Sequence, residues 1–375
     1  MQCKVCNKEF ELISKSLGIC YFCLVKNRGN SIDIINKYRY TARSKYSLPI
    51  SAPKEKDGVQ CNWCQNKCSI TSSKSYCGLV ENYQGKIKRL AGHRIGLASW
   101  YYDPLPTNCV GDWVCPAGSD CGYPKYSVKE GPEYGYYNLA VFYGSCTFDC
   151  LFCQNSQYKN YLLTKEPLIS AEDLASKVHD KVTCICYFGG DPSSQAIHSI
   201  LTSRIALKHA NKKNKILRIC WETNGSSNTK IILKMAELAL KSGGNIKFDL
   251  KCYNENLNKA LCGTSNKQTL SNFRLLSEYI DKRPEVPFLI ASTLLVPGYI
   301  DIPEIDLISS FIAELNPNIP YRLLGFYPHY LMSDLPRTSL EHAERCLRIA
   351  KKNGLKNVSI GNIHLLSNRK YPPPY

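Results

Sequence analysis

From Asn138 onward, short apolar runs alternate with longer amphipathic stretches. The runs at 138–143, 182–188, 215–221, 245–250, 287–296 and 320–326 have the length and composition of buried strands. Between and after them, 170–180, 194–211, 228–242, 268–280, 303–315 and 338–353 repeat apolar residues with the period of a helix packed on one face. Ser170 with Asp173, and Thr338 with Glu341, have capping-box spacing. Gly243 and Gly354 stand where helices should stop. Residues 357–361 have the composition of one more strand. Successive strand–helix units predict a parallel sheet with right-handed crossovers. Six units are too few to close an eight-stranded barrel. The expected fold class is therefore α/β, a partial (β/α)6 barrel over 136–375, with its chemistry at the C-terminal ends of the strands.

The chain before that point reads differently. Residues 1–45 form a small cysteine-rich head, expected to be zinc-ribbon-like. Residues 46–58 carry Pro49, Pro53, Lys54, Lys56 and Gly58 and read as a linker. Residues 59–135 are rich in Cys, Gly, Tyr and Pro, show no long helical period, and are expected to be organised by metal or by packing onto the barrel.

Composition adds two constraints. An apolar fraction of 44% over 375 residues allows a large core and argues against disorder. Lys and Arg outnumber Asp and Glu by 48 to 31, a formal charge of +17, so an anionic partner such as nucleic acid is a candidate. No basic block of five or more occurs, and solvated surface lysines account for the charge equally well. The 20 cysteines change the picture most. The start, Met-Gln-Cys-Lys-Val-Cys, has no apolar signal segment, and no stretch is long enough to span a membrane, so a cytoplasmic location is expected. Thiols there stay reduced, and cysteines at two- and three-residue gaps read as metal ligands.

Directly after the first strand comes Cys146-Thr-Phe-Asp-Cys150-Leu-Phe-Cys153. One loop with these gaps can give three thiolates to three irons of a [4Fe–4S] cluster and leave the fourth iron open for a cofactor. Zinc with a distant fourth ligand, or a loop of buried thiols, is the alternative. In the head, Cys3, Cys6, Cys20 and Cys23 form two Cys-x-x-Cys knuckles that suit tetrahedral Zn2+, which would supply the folding energy of so small a segment. A redox role is the other reading. Cys61, Cys64, Cys68 and Cys77 are four more thiols at ligand-like gaps, for zinc or an auxiliary Fe–S cluster. Cys109, Cys115 and Cys121 form a weaker third set. Cys184, Cys186, Cys220 and Cys346 are expected to be buried structural thiols. Cys252 follows Lys251 near the site, with a radical-relay role as its alternative. Tyr327, His329 and Tyr330 are expected at the mouth, His179 and His209 at the surface.

The remaining strand ends are polar. They read Gly189-Gly190-Asp191-Pro192, Trp221-Glu222-Thr223-Asn224-Gly225, Phe248-Asp249-Leu250-Lys251 and Leu295-Val296-Pro297-Gly298-Tyr299. Glycines at a strand end let a ligand approach backbone closely; the plain alternative is that these residues cap the following helices.

The cysteine spacing, with an aromatic residue before the last cysteine, resembles the radical S-adenosylmethionine (SAM) superfamily over roughly 138–364. Gly189-Gly190-Asp191-Pro192 is similar to the family's Gly-Gly-Glu-Pro segment, with Asp for Glu, whose backbone and acid bind the SAM amino group. The later strand ends resemble the glycyl-radical activating enzymes of the pyruvate formate-lyase activase type, which implies that Glu222, Thr223, Asn224 and Lys251 contact SAM or the substrate backbone. Phe152-Cys153-Gln154-Asn155, the Cys61–Cys77 set with Gly78, and Tyr327-Pro328-His329-Tyr330 with Leu335-Pro336 are similar to an AmmeMemo-associated subfamily. Cys109, Cys115, Cys121 and the head depart from that pattern. The resemblance implies reductive cleavage of SAM to a 5′-deoxyadenosyl radical and hydrogen abstraction from a partner protein, with a ferredoxin or flavodoxin as electron donor. Radical modification of an RNA base and a non-catalytic zinc scaffold are the competing readings. No doubly wound cobalamin domain fits before residue 138.

Overall fold

Strands that are apolar on both faces need cover on both faces, and helices after each strand provide it. A computed structural model describes residues 1–29, 31–107 and 109–373. Its main sheet has nine strands: β1 Ile95–Pro104, β2 Tyr137–Tyr143, β3 Leu168–Ser170, β4 Val182–Gly189, β5 Arg218–Thr223, β6 Ile246–Asp249, β7 Leu289–Leu295, β8 Tyr321–Gly325 and β9 Val358–Gly361. Their order across the sheet is β9-β8-β7-β6-β5-β4-β2-β1-β3, with β9 and β3 as open edges. All pairings from β2 to β9 are parallel, whereas β1 runs antiparallel to β2 and to β3. The six expected strands are present, and the seventh stretch is β9.

The structure also adds to and corrects the expected elements. β1 lies in the segment expected to be irregular. Gly96, Leu97 and Ala98 are buried while Tyr101 and Tyr102 are exposed, so no single alternation marks it. The helix Glu255–Cys262 is too short to show a period; Asn254 caps it, accepting from Leu257 N at 3.0 Å. The last long helix is Leu340–Lys352, and its cap is Ser339 rather than Thr338. Ser339 Oγ accepts from His342 N at 3.1 Å, while Thr338 Oγ1 donates to Leu295 O at 2.7 Å, so the expected Thr338–Glu341 box does not form. Ser170 does cap its helix, accepting from Asp173 N at 2.9 Å.

The outer faces of β2, β4 and β5 stack Tyr143, Tyr187 and Trp221, with ring centroids 6.2 and 5.6 Å apart. His198, from the helix Ala196–Lys212, bonds Tyr143 Oη through Nδ1 at 2.8 Å and is fully buried. Burial lowers its pKa from 6.5 to about 4. In that window the unfolded chain binds a proton that the folded one refuses, so stability falls as pH drops from about 6.5 toward 4. The loss attributable to His198 is at most about 3 kcal/mol. Urea titrations at pH 7 and pH 5 measure it, and His198→Gln is expected to shrink the difference.

Two segments attach to the barrel. The head shares the barrel's core: Tyr299 Oη donates to Ile19 O at 3.1 Å and Ser14 Oγ donates to Asp334 at 3.0 Å. Part of 105–135 lies against the N-terminal ends of the strands. Glu133 there takes a bidentate bond from Arg218, at 2.8 and 2.6 Å, and a third from Thr183 at 2.7 Å, all fully buried.

Candidate active site

A cavity of about 300 Å³ opens at the C-terminal ends of the strands. Cys146, Cys150, Cys153, Gly189, Gly190, Asp191, Glu222, Thr223, Asn224 and Lys251 all line it. These are the residues the strand ends singled out, now on one wall.

The cysteine loop follows β2 and is held from behind. Asp149 N donates to Cys262 O and Leu151 N to Leu261 O, both at 2.9 Å, so the short helix after β6 props the loop. Phe148 and Phe152 are buried beneath it. Burial raises the Cys146 thiol and pushes Cys153 up to about 12; contact with the Cys262 thiol, followed by burial, raises Cys150. Thiols held neutral by burial would give up their protons to solvent when a soft cation takes the thiolates. Beside the start of the loop, a Cβ at Gly190 would stand 2.1 Å from Ser145 O, just before the first cysteine. Three cysteine sulfurs beside bare glycine backbone are a donor set that would suit an iron–sulfur group. Gly190→Ala is expected to push the loop aside and destabilise the fold by about 1–3 kcal/mol, measured as a lower urea midpoint.

The polar residues are tied to one another. Asp191, at the end of β4, accepts from Ser193 N at 2.7 Å, Asn224 N at 2.6 Å and Thr223 Oγ1 at 3.1 Å. Burial raises its carboxyl to about 6. Asn224 Nδ2 donates to Thr147 Oγ1 at 2.8 Å, which links the β5 end to the cysteine loop. Asp191 thus cross-braces β4 and β5. Lys251 pairs with Asp249, and Glu222 pairs with Lys247 at 3.1 Å.

Lys247 and Cys109 were not singled out as cavity residues by sequence. Lys247 is a charged residue within the apolar β6 run, 2% exposed at its side chain, and that misfit was the available signal. Its ammonium donates to Cys109 Sγ at 2.8 Å and Cys186 Sγ at 3.3 Å. Both Lys247 and Cys109 line the cavity floor. Below it, Cys109, Cys115, Cys184, Cys186 and Cys220 line a second pocket of about 30 Å³. The strand cysteines are buried, as expected, yet they face each other and the two cysteines of the preceding segment. Cys121 is not with them; its thiol donates to Val114 O at 3.1 Å.

The other cysteine sets differ in compactness. Sulfurs of Cys3, Cys6, Cys20 and Cys23 lie within 4.8 Å of one another, the closeness a single tetrahedral ion needs. Among the described residues, the one other group that compact is Asp301, His342 and Cys346. There His342 is already committed, Nε2 to Ile300 O and Nδ1 to Tyr371 Oη, each at 3.0 Å. Cys61 and Cys68 pair in register on two short antiparallel strands, and Cys61 Sγ accepts from Arg89 at 3.1 Å. That region docks beside the site: Asn228 N donates to Trp63 O at 2.8 Å, and Ser145 Oγ to Cys77 O at 2.8 Å. Cys252 is buried behind the loop. Tyr330 Oη accepts from Lys159 at 2.7 Å and Tyr327 is exposed. His179 packs edge-on against Tyr102, and His209 lies in the last turn of its helix.

Residues 140–305 match the family model of the radical SAM superfamily. This chain carries a radical SAM domain. The radical SAM family implies a [4Fe–4S] cluster and SAM. MJ1632 of Methanocaldococcus jannaschii, whose name assigns it to glycyl-radical enzyme activation, is 28% identical over 201 residues, covering 51% of this chain and 69% of that protein. MJ0808, an uncharacterized protein of the same organism, is 24% identical over 313 residues, covering 81% of each. Among solved structures, a domain of a pyruvate-formate lyase-activating enzyme from Bacteroides vulgatus aligns at 21% identity and TM-score 0.36, over 47% of this chain and 98% of that one. SAM-bound SuiB from Streptococcus suis aligns at 14% identity and TM-score 0.40, over 59% and 49%. No helix among the described residues is long and apolar enough to cross a membrane.

Proposed function

We propose that Cys146, Cys150 and Cys153 hold a [4Fe–4S] cluster, that SAM binds its open iron, and that the enzyme abstracts hydrogen from a partner protein. The observation that carries this is the convergence of three cysteines of one loop, Cys150 buried and Cys146 and Cys153 partly buried, and the Gly189-Gly190 backbone on one cavity at the strand ends, inside the radical SAM match. Cluster and SAM together supply one-electron cleavage of a sulfonium to methionine and a 5′-deoxyadenosyl radical, which attacks an unactivated C–H bond.

The chain's own residues do the rest. Phe148 and Phe152 keep water from the sulfurs. Gly189 and Gly190 offer backbone to the SAM amino group. Asp191, already accepting three bonds, braces that wall, and Thr223, Asn224, Glu222 and Lys251 present polar edges to SAM or to the substrate backbone. A cavity of about 300 Å³ is at the small end for a ligand pocket. With SAM inside, a substrate reaches it with little more than its reacting carbon. This suits a large partner that offers one segment at the mouth, and the name of MJ1632 supports the same reading. The proposal includes Zn2+ on Cys3, Cys6, Cys20 and Cys23, zinc or an auxiliary cluster on Cys61, Cys64, Cys68 and Cys77, and a ferredoxin or flavodoxin donor in the cytoplasm.

Anaerobic reconstitution with iron and sulfide, then dithionite and SAM, tests it. Formation of 5′-deoxyadenosine is expected; none from a chain with full iron content would contradict the reading.

A further inference from the structure

Asp149 sits inside the cysteine loop, between Phe148 and Cys150, and its side chain is 1% exposed. Three cations converge on it. Arg39 Nη1 donates to Oδ2 at 3.1 Å, Lys159 Nζ to Oδ1 at 2.5 Å, and Arg43 Nη1 lies 3.4 Å from Oδ1. All three have side chains no more than 2% exposed, and among the described residues Asp149 is the one acidic partner of each. The cations are fixed by further bonds: Arg39 to Ala260 O at 2.7 Å, Arg43 to Tyr76 O at 2.6 Å, and Lys159 to Tyr330 Oη at 2.7 Å.

Three cations against one carboxylate leave two positive charges buried without an acidic partner among the described residues. Burial of unpaired charge is costly, and it persists where another negative group answers it. Asp149 lies within the stretch that carries Cys146, Cys150 and Cys153, directly before Cys150. Arg39 and Arg43 both come from the head. They stand one turn apart on the helix Ser31–Ser44, which follows the Cys20–Cys23 knuckle. The head also braces the helix behind the loop, through Asn256 Nδ2 donating to Val25 O at 3.0 Å.

We propose that the head is an electrostatic clamp on the cysteine loop: its metal-held fold delivers Arg39 and Arg43 to Asp149, and their surplus charge stabilises the thiolates and the more negative, reduced state of the cluster they hold. This rests on the cluster reading of the proposed function. Arg39, Arg43 and Lys159 are positioning residues in it, with no contact to substrate assigned.

Two measurements test it, both on the full chain. In the reconstituted protein, an EPR-monitored redox titration is expected to give a more negative midpoint potential for Arg43→Met than for wild type, with Arg43→Lys restoring most of it. Lys159→Gln gives the same readout if Arg43→Met does not fold. An unchanged midpoint, or no recovery with lysine, overturns the electrostatic claim. In the iron-free protein, hydrogen exchange of 146–153 is expected to quicken in Cys3→Ser with Cys20→Ser relative to wild type. Unchanged exchange overturns the coupling of head to loop. If wild-type protein takes up no cluster at all, the proposed function fails, while the exchange measurement still decides the clamp.

Discussion

Replacing Cys150 with alanine is expected to abolish SAM cleavage, with 5′-deoxyadenosine falling at least about a thousandfold, because the electron that breaks the sulfonium bond would pass through the cluster that Cys150 helps to hold. Cys150 is the middle ligand of the proposed three and is 9% exposed, on a loop braced by the helix Glu255–Cys262. Loss of one of three thiolates leaves two irons unheld, so the iron content after reconstitution should fall with activity. Cys109→Ala is the contrasting variant. Cys109 also lines the cavity, but its thiol is tied to Lys247 and lies 3.4 Å from Glu222. It should keep its iron. Chromatography of the nucleoside and colorimetric iron determination read both. Retained cleavage in Cys150→Ala removes the assignment of the loop.

The second large effect is on stability. Glu133→Gln is expected to cost about 3–5 kcal/mol, because it strips the charge from the acid that answers fully buried Arg218. Burial would raise the Glu133 carboxyl, but the bidentate pair outweighs it and holds the pKa below its ordinary value. Replacing both partners, Glu133→Leu with Arg218→Met, should cost less than the single change, since no orphaned charge remains. Urea unfolding of the three variants gives the comparison. The pair fastens part of 105–135 to the N-terminal ends of the strands, so a loss well under 1 kcal/mol in Glu133→Gln would mean that water reaches this contact.

Much of this was legible in the sequence because the relevant signals are local. β2 and β4 to β8 are mostly apolar runs, and the cysteine loop carries its spacing in eight consecutive residues. The strand-end motifs fell on one cavity because parallel strands present their C-terminal ends together. What escaped depends on contacts far apart along the chain. β1 is the strand next to the β3 edge, and its burial changes partway along, so it has no clean alternation. Thr338 looked like a cap until its hydroxyl went to Leu295 O across 43 residues. Lys247 reads as a surface lysine unless Glu222 and Cys109 are known to face it. Cys184, Cys186 and Cys220 read as buried structural thiols, and nothing in their spacing announces that Cys109 and Cys115 share a pocket with them.

The most direct test of the central claim is electron–nuclear double resonance on the reduced, reconstituted protein with isotopically labelled SAM. The account predicts hyperfine coupling from the SAM amino nitrogen and carboxylate to the cluster, and loss of the cluster signal in Cys146→Ala, Cys150→Ala and Cys153→Ala. A cluster that SAM leaves unperturbed, or one whose fourth iron is held by Cys109 or Cys262, would contradict it.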